Sequence, residues 1–185
     1  MSRLELPDDF RDLLVALADA RAEFVLVGGS AMAVHGRPRA TEDLDVLVRA
    51  NPVNSAKVLE ALDAFGAPVG PHGVDAGTFG SEGPAYRFGM KPLRIELLTK
   101  ISGVSFDEAI REPVHAEVDG RVVPVIGRRA LLQNERAARR QKYCSSPLDP
   151  LNGQLSCRGQ LPSRGGDPHA VLHTKLTQTP SLEAL

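Results

Sequence analysis

The sequence predicts an α/β domain of layered strands and helices, and three observations carry that prediction. Through residues 7–64, short apolar runs of strand character alternate with longer segments of helical period. Residues 85–126 then hold four further strand-like segments, two of them joined by Asp119-Gly120, a strong hairpin signal. At 185 residues the chain is long enough to bury one core without disulfide or metal staples.

Composition narrows the class. Apolar residues make up 42% and charged residues 24%, the balance of an ordinary globular protein rather than a disordered or membrane chain. A net charge of −1 gives no global attraction to nucleic acid or anionic lipid, so any such binding must come from local clusters. No apolar run approaches the roughly 20 residues that span a bilayer, and the opening MSRLELPDDF lacks the apolar core of a secretion signal. The expectation is a cytoplasmic protein with no membrane contact. Its two cysteines, Cys144 and Cys157, form no metal-ligand set and are expected to be reduced.

In order, residues 7–20 read as an amphipathic helix. Pro7 suits a first helical position, Asp8 and Asp9 favour the N-terminal dipole, and Phe10, Leu13, Leu14 and Leu17 form one stripe. Residues 24–27, FVLV, are a buried strand that stops at Gly28-Gly29. Ser30 opens a short helix over residues 31–35 that Gly36 ends. After the basic loop Arg37-Pro38-Arg39, residues 41–48 form a second strand. Asn51 and Pro52 supply a cap and a first-turn proline for a helix to about residue 64, whose buried face would use Val53, Leu59 and Leu62 with Val58 and Phe65 alongside. Residues 66–84 hold six glycines and three prolines and read as a long loop or flap, in which His72 is a solvated histidine or a substrate contact.

Strands return at residues 85–90 and 93–99. Residues 101–111 suggest a loop and a short helix, and residues 115–118 and 121–126 flank the Asp119-Gly120 turn. Pro124 puts the second of these at a sheet edge or at its own end. Gly127 precedes a basic helix over residues 128–142 with Ala130, Leu131, Leu132, Ala137 and Ala138 available for packing. A domain over residues 1–143 is thus expected, followed by a weakly structured tail over 144–185 that has no aromatic residue and no sustained period.

The chemistry concentrates in residues 24–48. In the strand that ends this stretch, alternation puts Leu44, Val46 and Val48 on one face and Asp43, Asp45 and Leu47 on the other. Two residues of strand separate the carboxylates by roughly 6.5–7 Å, a spacing from which two side chains can grip divalent cations on substrate phosphates. Alone, Gly-Gly at a strand end is a turn, and two acids on one strand face are its solvated side. In residues 93–99, LRIELLT, Glu96 shares a face with Arg94 and Leu98. A carboxylate on so apolar a strand needs a cation, hydrogen bonds or solvent, and a salt bridge with Arg94 or Arg87 would also satisfy it.

The combination of Gly28-Gly29-Ser30, a short helix and Asp43-Leu44-Asp45 resembles the nucleotidyltransferase superfamily that includes DNA polymerase beta, specifically its small bacterial, abortive-infection toxin-like members. That resemblance implies an α+β, nucleotidyltransferase-like mixed sheet packed with helices. It implies Mg²⁺, or Mn²⁺, held by Asp43 and Asp45, with a third acid on a neighbouring strand. Glu96 takes that place here, one methylene longer than the usual aspartate, and would double as a base for the acceptor hydroxyl. Gly28 and Gly29 would let the backbone approach phosphate, Ser30 would donate to it, and Arg37, Arg39 and Thr41 would line the nucleotide site. The related proteins carry an Asn-Lys-Arg-Ala helix followed by a lysine and an aspartate. This chain reads Asn134-Glu135-Arg136-Ala137, with Tyr143 where the acid would stand, and Arg136 is the cation it offers to the nucleotide.

The implied function is Mg²⁺-dependent transfer of a nucleoside monophosphate from an NTP substrate to a hydroxyl of RNA, protein or a small molecule, in a toxin–antitoxin setting with a cognate partner. A catalytically degenerate interaction module is the alternative, favoured by Glu135 and the missing acid. A metal-dependent nuclease ranks lower. Rossmann-type dinucleotide binding ranks lower still, because Gly28-Gly29-Ser30-Ala31-Met32-Ala33 is not GxGxxG.

Overall fold

The computed structural model describes residues 2–37, 41–90 and 92–145, so most of the expected tail, including Cys157, lies outside the described residues, as does Arg39. Within the described residues twelve elements follow one another: β1 (Ser2–Arg3), α1 (Asp8–Asp19), β2 (Phe24–Leu26), α2 (Gly28–Val34), β3 (Asp43–Val48), α3 (Pro52–Phe65), β4 (Ala85–Phe88), β5 (Arg94–Leu98), α4 (Phe106–Ala109), β6 (Val114–Val118), β7 (Arg121–Val125) and α5 (Arg128–Ser145). The strands form one mixed sheet in the order β1-β6-β7-β2-β3-β5-β4. The α/β class and the order of elements agree with the pattern of the sequence. β1, a two-residue strand parallel to β6, is an addition that local pattern does not announce.

Register explains how the sheet divides its two faces. β3 runs parallel to β5 with Leu44 beside Ile95 and Val46 beside Leu97, and antiparallel to β2 with Val46 beside Leu26 and Val48 beside Phe24. β4 adds Tyr86 beside Leu97 and Phe88 beside Ile95, while β7 adds Val125 beside Leu26. All of these side chains are buried, so one face is apolar from β4 across to β7. α1 touches α3, β6 and β7 and contributes Phe10, Leu13, Leu14 and Leu17, the stripe anticipated above. The opposite face buries Val25 and Leu47 at its centre, with Leu98 half-buried beside Leu47, and turns polar toward the start of β3 and β5.

Several local details are set by specific chemistry. At the β6–β7 hairpin, Asp119 and Gly120 both take positive φ, 46° and 76°, the pairing that a two-residue I′ turn requires. Pro124 is the penultimate residue of β7, which lies inside the sheet but meets β2 at a single residue pair, so its missing N–H interrupts no long ladder. α4 begins with a capping box between Ser105 and Glu108. The far end of β3 is clamped by Arg49, which pairs with Glu23 and Asp107 and stacks on Phe106 at 4.4 Å. The long loop after α3 is anchored rather than loose. Phe79 is fully buried, Ser55 Oγ donates to the Ala76 carbonyl at 2.7 Å, and His72 meets the Tyr86 hydroxyl at 3.0 Å. No helix among the described residues is long and apolar enough to cross a membrane.

Two packing expectations need correction. On α5, Ala130 and Leu131 are buried, but Leu132 and Ala138 face solvent. On α3, Val53 is 71% exposed, and the buried first-turn side chain is Asn54 at 1%. The reason is a hydrogen-bond hub: the Asn54 amide accepts the Glu23 N–H at 2.6 Å and donates to the Glu23 and Arg49 carbonyls, each at 2.9 Å. Asn51, the N-cap, accepts from the Asn54 N–H. Polar satisfaction thus outranks apolarity at the start of this helix, because an unpaired buried amide costs more than an exposed valine. Asn54→Ala should therefore destabilise the fold by about 1–3 kcal/mol, while Val53→Ala should stay within about 0.5 kcal/mol of the parent. Urea unfolding of the two variants measures the contrast.

Candidate active site

The site is built first from the α2–β3 connection. β2 ends when Val27 donates its N–H to the Asp45 carbonyl, and the chain turns into α2 with Gly28 at φ 63°. The expected turn at Gly28-Gly29 is thus the first turn of the helix itself. Both glycines are needed for space. A Cβ on Gly28 would lie 2.0 Å from Asp45 Oδ2, and one on Gly29 would lie 2.7 Å from the Thr41 Cβ. The Asp45 carboxylate is therefore seated against the backbone of Gly28, and Thr41 against that of Gly29. Thr41 precedes β3 rather than belonging to it: its hydroxyl donates to the Asp43 carbonyl at 2.9 Å and accepts the Asp43 N–H at 3.3 Å. Ser30 is buried at 4% in the first helical turn, and the N-cap residue Val27 makes no side-chain cap bond to α2.

The second half of the site comes from β5 and β4. Asp45 pairs in register with Glu96, Asp43 with Arg94, and Arg87 of β4 with Glu96. Since paired residues of neighbouring strands point to the same side, Asp43, Asp45, Glu96, Arg94 and Arg87 share the polar face. Asp43 is exposed, Asp45 and Glu96 half-buried. Arg87 Nη2 donates to Glu96 Oε1 at 2.7 Å. The guanidinium is held more firmly in its charged form, first by that hydrogen bond and the charge of Glu96, and further by the charges of Asp43 and Asp45. All three acids therefore lie within electrostatic reach of one cation. Among the described residues, no three His, Cys, Asp or Glu side chains stand close enough together to hold a metal ion as they are. The donor set nevertheless suits a hard divalent cation in kind, with carboxylates from two adjacent strands on one face, and one oxygen of the set is engaged by Arg87.

The remaining expected residues fall elsewhere or outside. Arg37 follows α2 and is exposed, while Arg39 lies outside the described residues. Arg136 lines a separate cleft of about 830 Å³ on α5 with Arg128, Arg129, Leu132 and Gln133, and none of the three acids lines it. His35 holds the end of α2 to the sheet, its Nε2 lying 2.8 Å from the Ile126 carbonyl. Asn134 is structural as well: its amide donates to the Ser102 carbonyl at 2.9 Å, beside the Gln133 bond to Gly103. Arg87 figured in the sequence only as a neutralising partner for Glu96. Its place within the field of all three acids depends on the β4–β5 register, which no local pattern specifies.

A search of curated proteins found no match. The fold is similar to the crystal structure of a candidate nucleotidyltransferase from Thermotoga maritima, with a TM-score of 0.52 and 12% identity over 76% of this chain and 91% of that one. Residues 12–132, which span every element of the site, match the family described as nucleotidyl transferase AbiEii toxin, type IV toxin–antitoxin system. The chain therefore belongs to the AbiEii toxin family of nucleotidyltransferases.

Proposed function

We propose that this nucleotidyltransferase moves a nucleoside monophosphate from an NTP to a hydroxyl acceptor, with Asp43, Asp45 and Glu96 holding Mg²⁺ or Mn²⁺. The observation that carries the reading is the parallel register that sets Asp45 beside Glu96, with Asp43 on the same face and Gly28 against Asp45. A divalent cation bound there supplies charge neutralisation for the phosphates and alignment of the attacking oxygen.

The residues of the chain then have separable tasks. Asp43 and Asp45 fix the position of the triphosphate by providing the anionic seat for its cation. The Ser30 hydroxyl and the first-turn N–H groups of α2 donate to phosphate oxygens, while Gly28 and Gly29 leave the room that Asp45 and Thr41 occupy. Arg37 and Arg39, which fall between α2 and β3 in the sequence, offset phosphate charge, and Thr41 holds the backbone of Asp43. Glu96 accepts the proton of the acceptor hydroxyl as the new oxygen–phosphorus bond forms and the bond to pyrophosphate breaks. Arg136, in its separate cleft, would meet the acceptor rather than the triphosphate. The acceptor is RNA, a protein or a small molecule, and a cognate antitoxin is the expected partner, in keeping with the family's toxin–antitoxin systems.

Incubation with each labelled NTP, Mg²⁺ and a cell extract should transfer label to one class of acceptor, and chelation should stop it with recovery on adding Mn²⁺. Asp43→Asn and Asp45→Asn should each lower transfer by at least about 100-fold with the melting temperature within about 2 °C of the parent. Full transfer by the double variant would sink the assignment. Gly28→Ala should cost about 100-fold in transfer without loss of NTP specificity, because its methyl group displaces the Asp45 carboxylate.

A further inference from the structure

The acidic corner carries a cation of its own. Arg87 stands opposite Glu96 across β4 and β5, and Glu96 stands beside Asp45 across β5 and β3, so the three form one row on the polar face. The 2.7 Å ion pair joins groups of unequal freedom: the Arg87 side chain is 59% exposed and that of Glu96 is 21% exposed. The arginine, on the edge strand, can swing into solvent with little loss of packing, whereas Glu96 stays in the site. Glu96 stands between the Asp45 carboxylate and the Arg87 guanidinium, and the guanidinium offsets the repulsion between the two acids. A divalent cation on the same acids would offset it too, and two cations on one carboxylate would repel. Guanidinium and metal therefore compete for the Glu96 carboxylate.

We propose that Arg87 is a positioning residue that latches Glu96 in the metal-free protein, gives it up when a divalent cation and a triphosphate enter, and passes its guanidinium to the phosphate oxygens. The exchange breaks no covalent bond and leaves every charge paired: carboxylate with metal, guanidinium with phosphate. The planar fork of arginine serves carboxylate and phosphate equally, which a lysine does not. This inference rests on the metal-dependent reading of the site. It differs from a plain cross-strand contact, which would support the sheet and leave metal affinity untouched.

The test uses the full chain with Arg87→Gln and Arg87→Lys, each checked by thermal melting. Mn²⁺ alone is titrated by electron paramagnetic resonance, and then inorganic tripolyphosphate in the presence of Mn²⁺ by calorimetry. Arg87→Gln should bind Mn²⁺ about two- to fivefold more tightly than the parent, the competition expected of a half-exposed ion pair. It should bind tripolyphosphate about tenfold more weakly, a charge-assisted contact being lost, with Arg87→Lys between the two. Unchanged or weaker Mn²⁺ binding by Arg87→Gln would overturn the latch while leaving the metal site standing. Unchanged tripolyphosphate binding would overturn the handover to phosphate. Absence of Mn²⁺ binding in parent and variants alike would remove the metal reading itself, and the latch with it.

Discussion

The parallel pairing of β3 with β5 is the constraint on which the rest of the site depends. Along these strands Leu44, Val46 and Val48 alternate with Asp43 and Asp45, and Ile95 and Leu97 alternate with Arg94 and Glu96. A slip of one residue in either strand would move its acids into the buried face and its aliphatic side chains into water. Burying one large aliphatic side chain is worth roughly 1.5–3 kcal/mol, and an unpaired buried carboxylate costs more than that. The register is consequently dictated by the apolar face, and the acidic face inherits its geometry without any stabilising contact between the acids themselves.

Small residues do the complementary work on the other side of the acids. Gly28 and Gly29 leave room for Asp45 and Thr41 at distances no side chain would permit. The positive φ of Gly28 also turns the chain from β2 directly into α2, so the helix starts against the carboxylate rather than beyond a loop. This half of the site is local, contained within residues 28–45. The other half is not: Glu96 and Arg87 reach it only because β5 pairs with β3 and β4 folds back on β5.

α5 shows how a basic helix divides its residues between packing and surface. Leu131 enters the core, Asn134 and Gln133 clasp the carbonyls of Ser102 and Gly103, and Gly103 lies close under Ala137. With that side fixed, Arg128, Arg129 and Arg136 are turned together into one cleft beside the start of β6. Two arginines in the first turn run against the helix dipole, where acids would be the stabilising choice.

Much of this was legible in the residues themselves. The stripe of α1, the cap at Asn51, the I′ turn at Asp119-Gly120 and the two faces of β3 follow from interactions between residues a few positions apart, which the order of the chain already contains. The α2–β3 half of the site is legible for the same reason. Local pattern could not choose between Val53 and Asn54 as the buried side chain of α3, because the partners of Asn54 are the carbonyls of Glu23 and Arg49, brought in by the β2–β3 pairing. Nor could it decide whether Glu96 would meet Asp45 or Arg87. Both neighbours are set by strand order across the sheet, a long-range outcome of covering one apolar face, and only the tertiary structure gives Glu96 both of them at once.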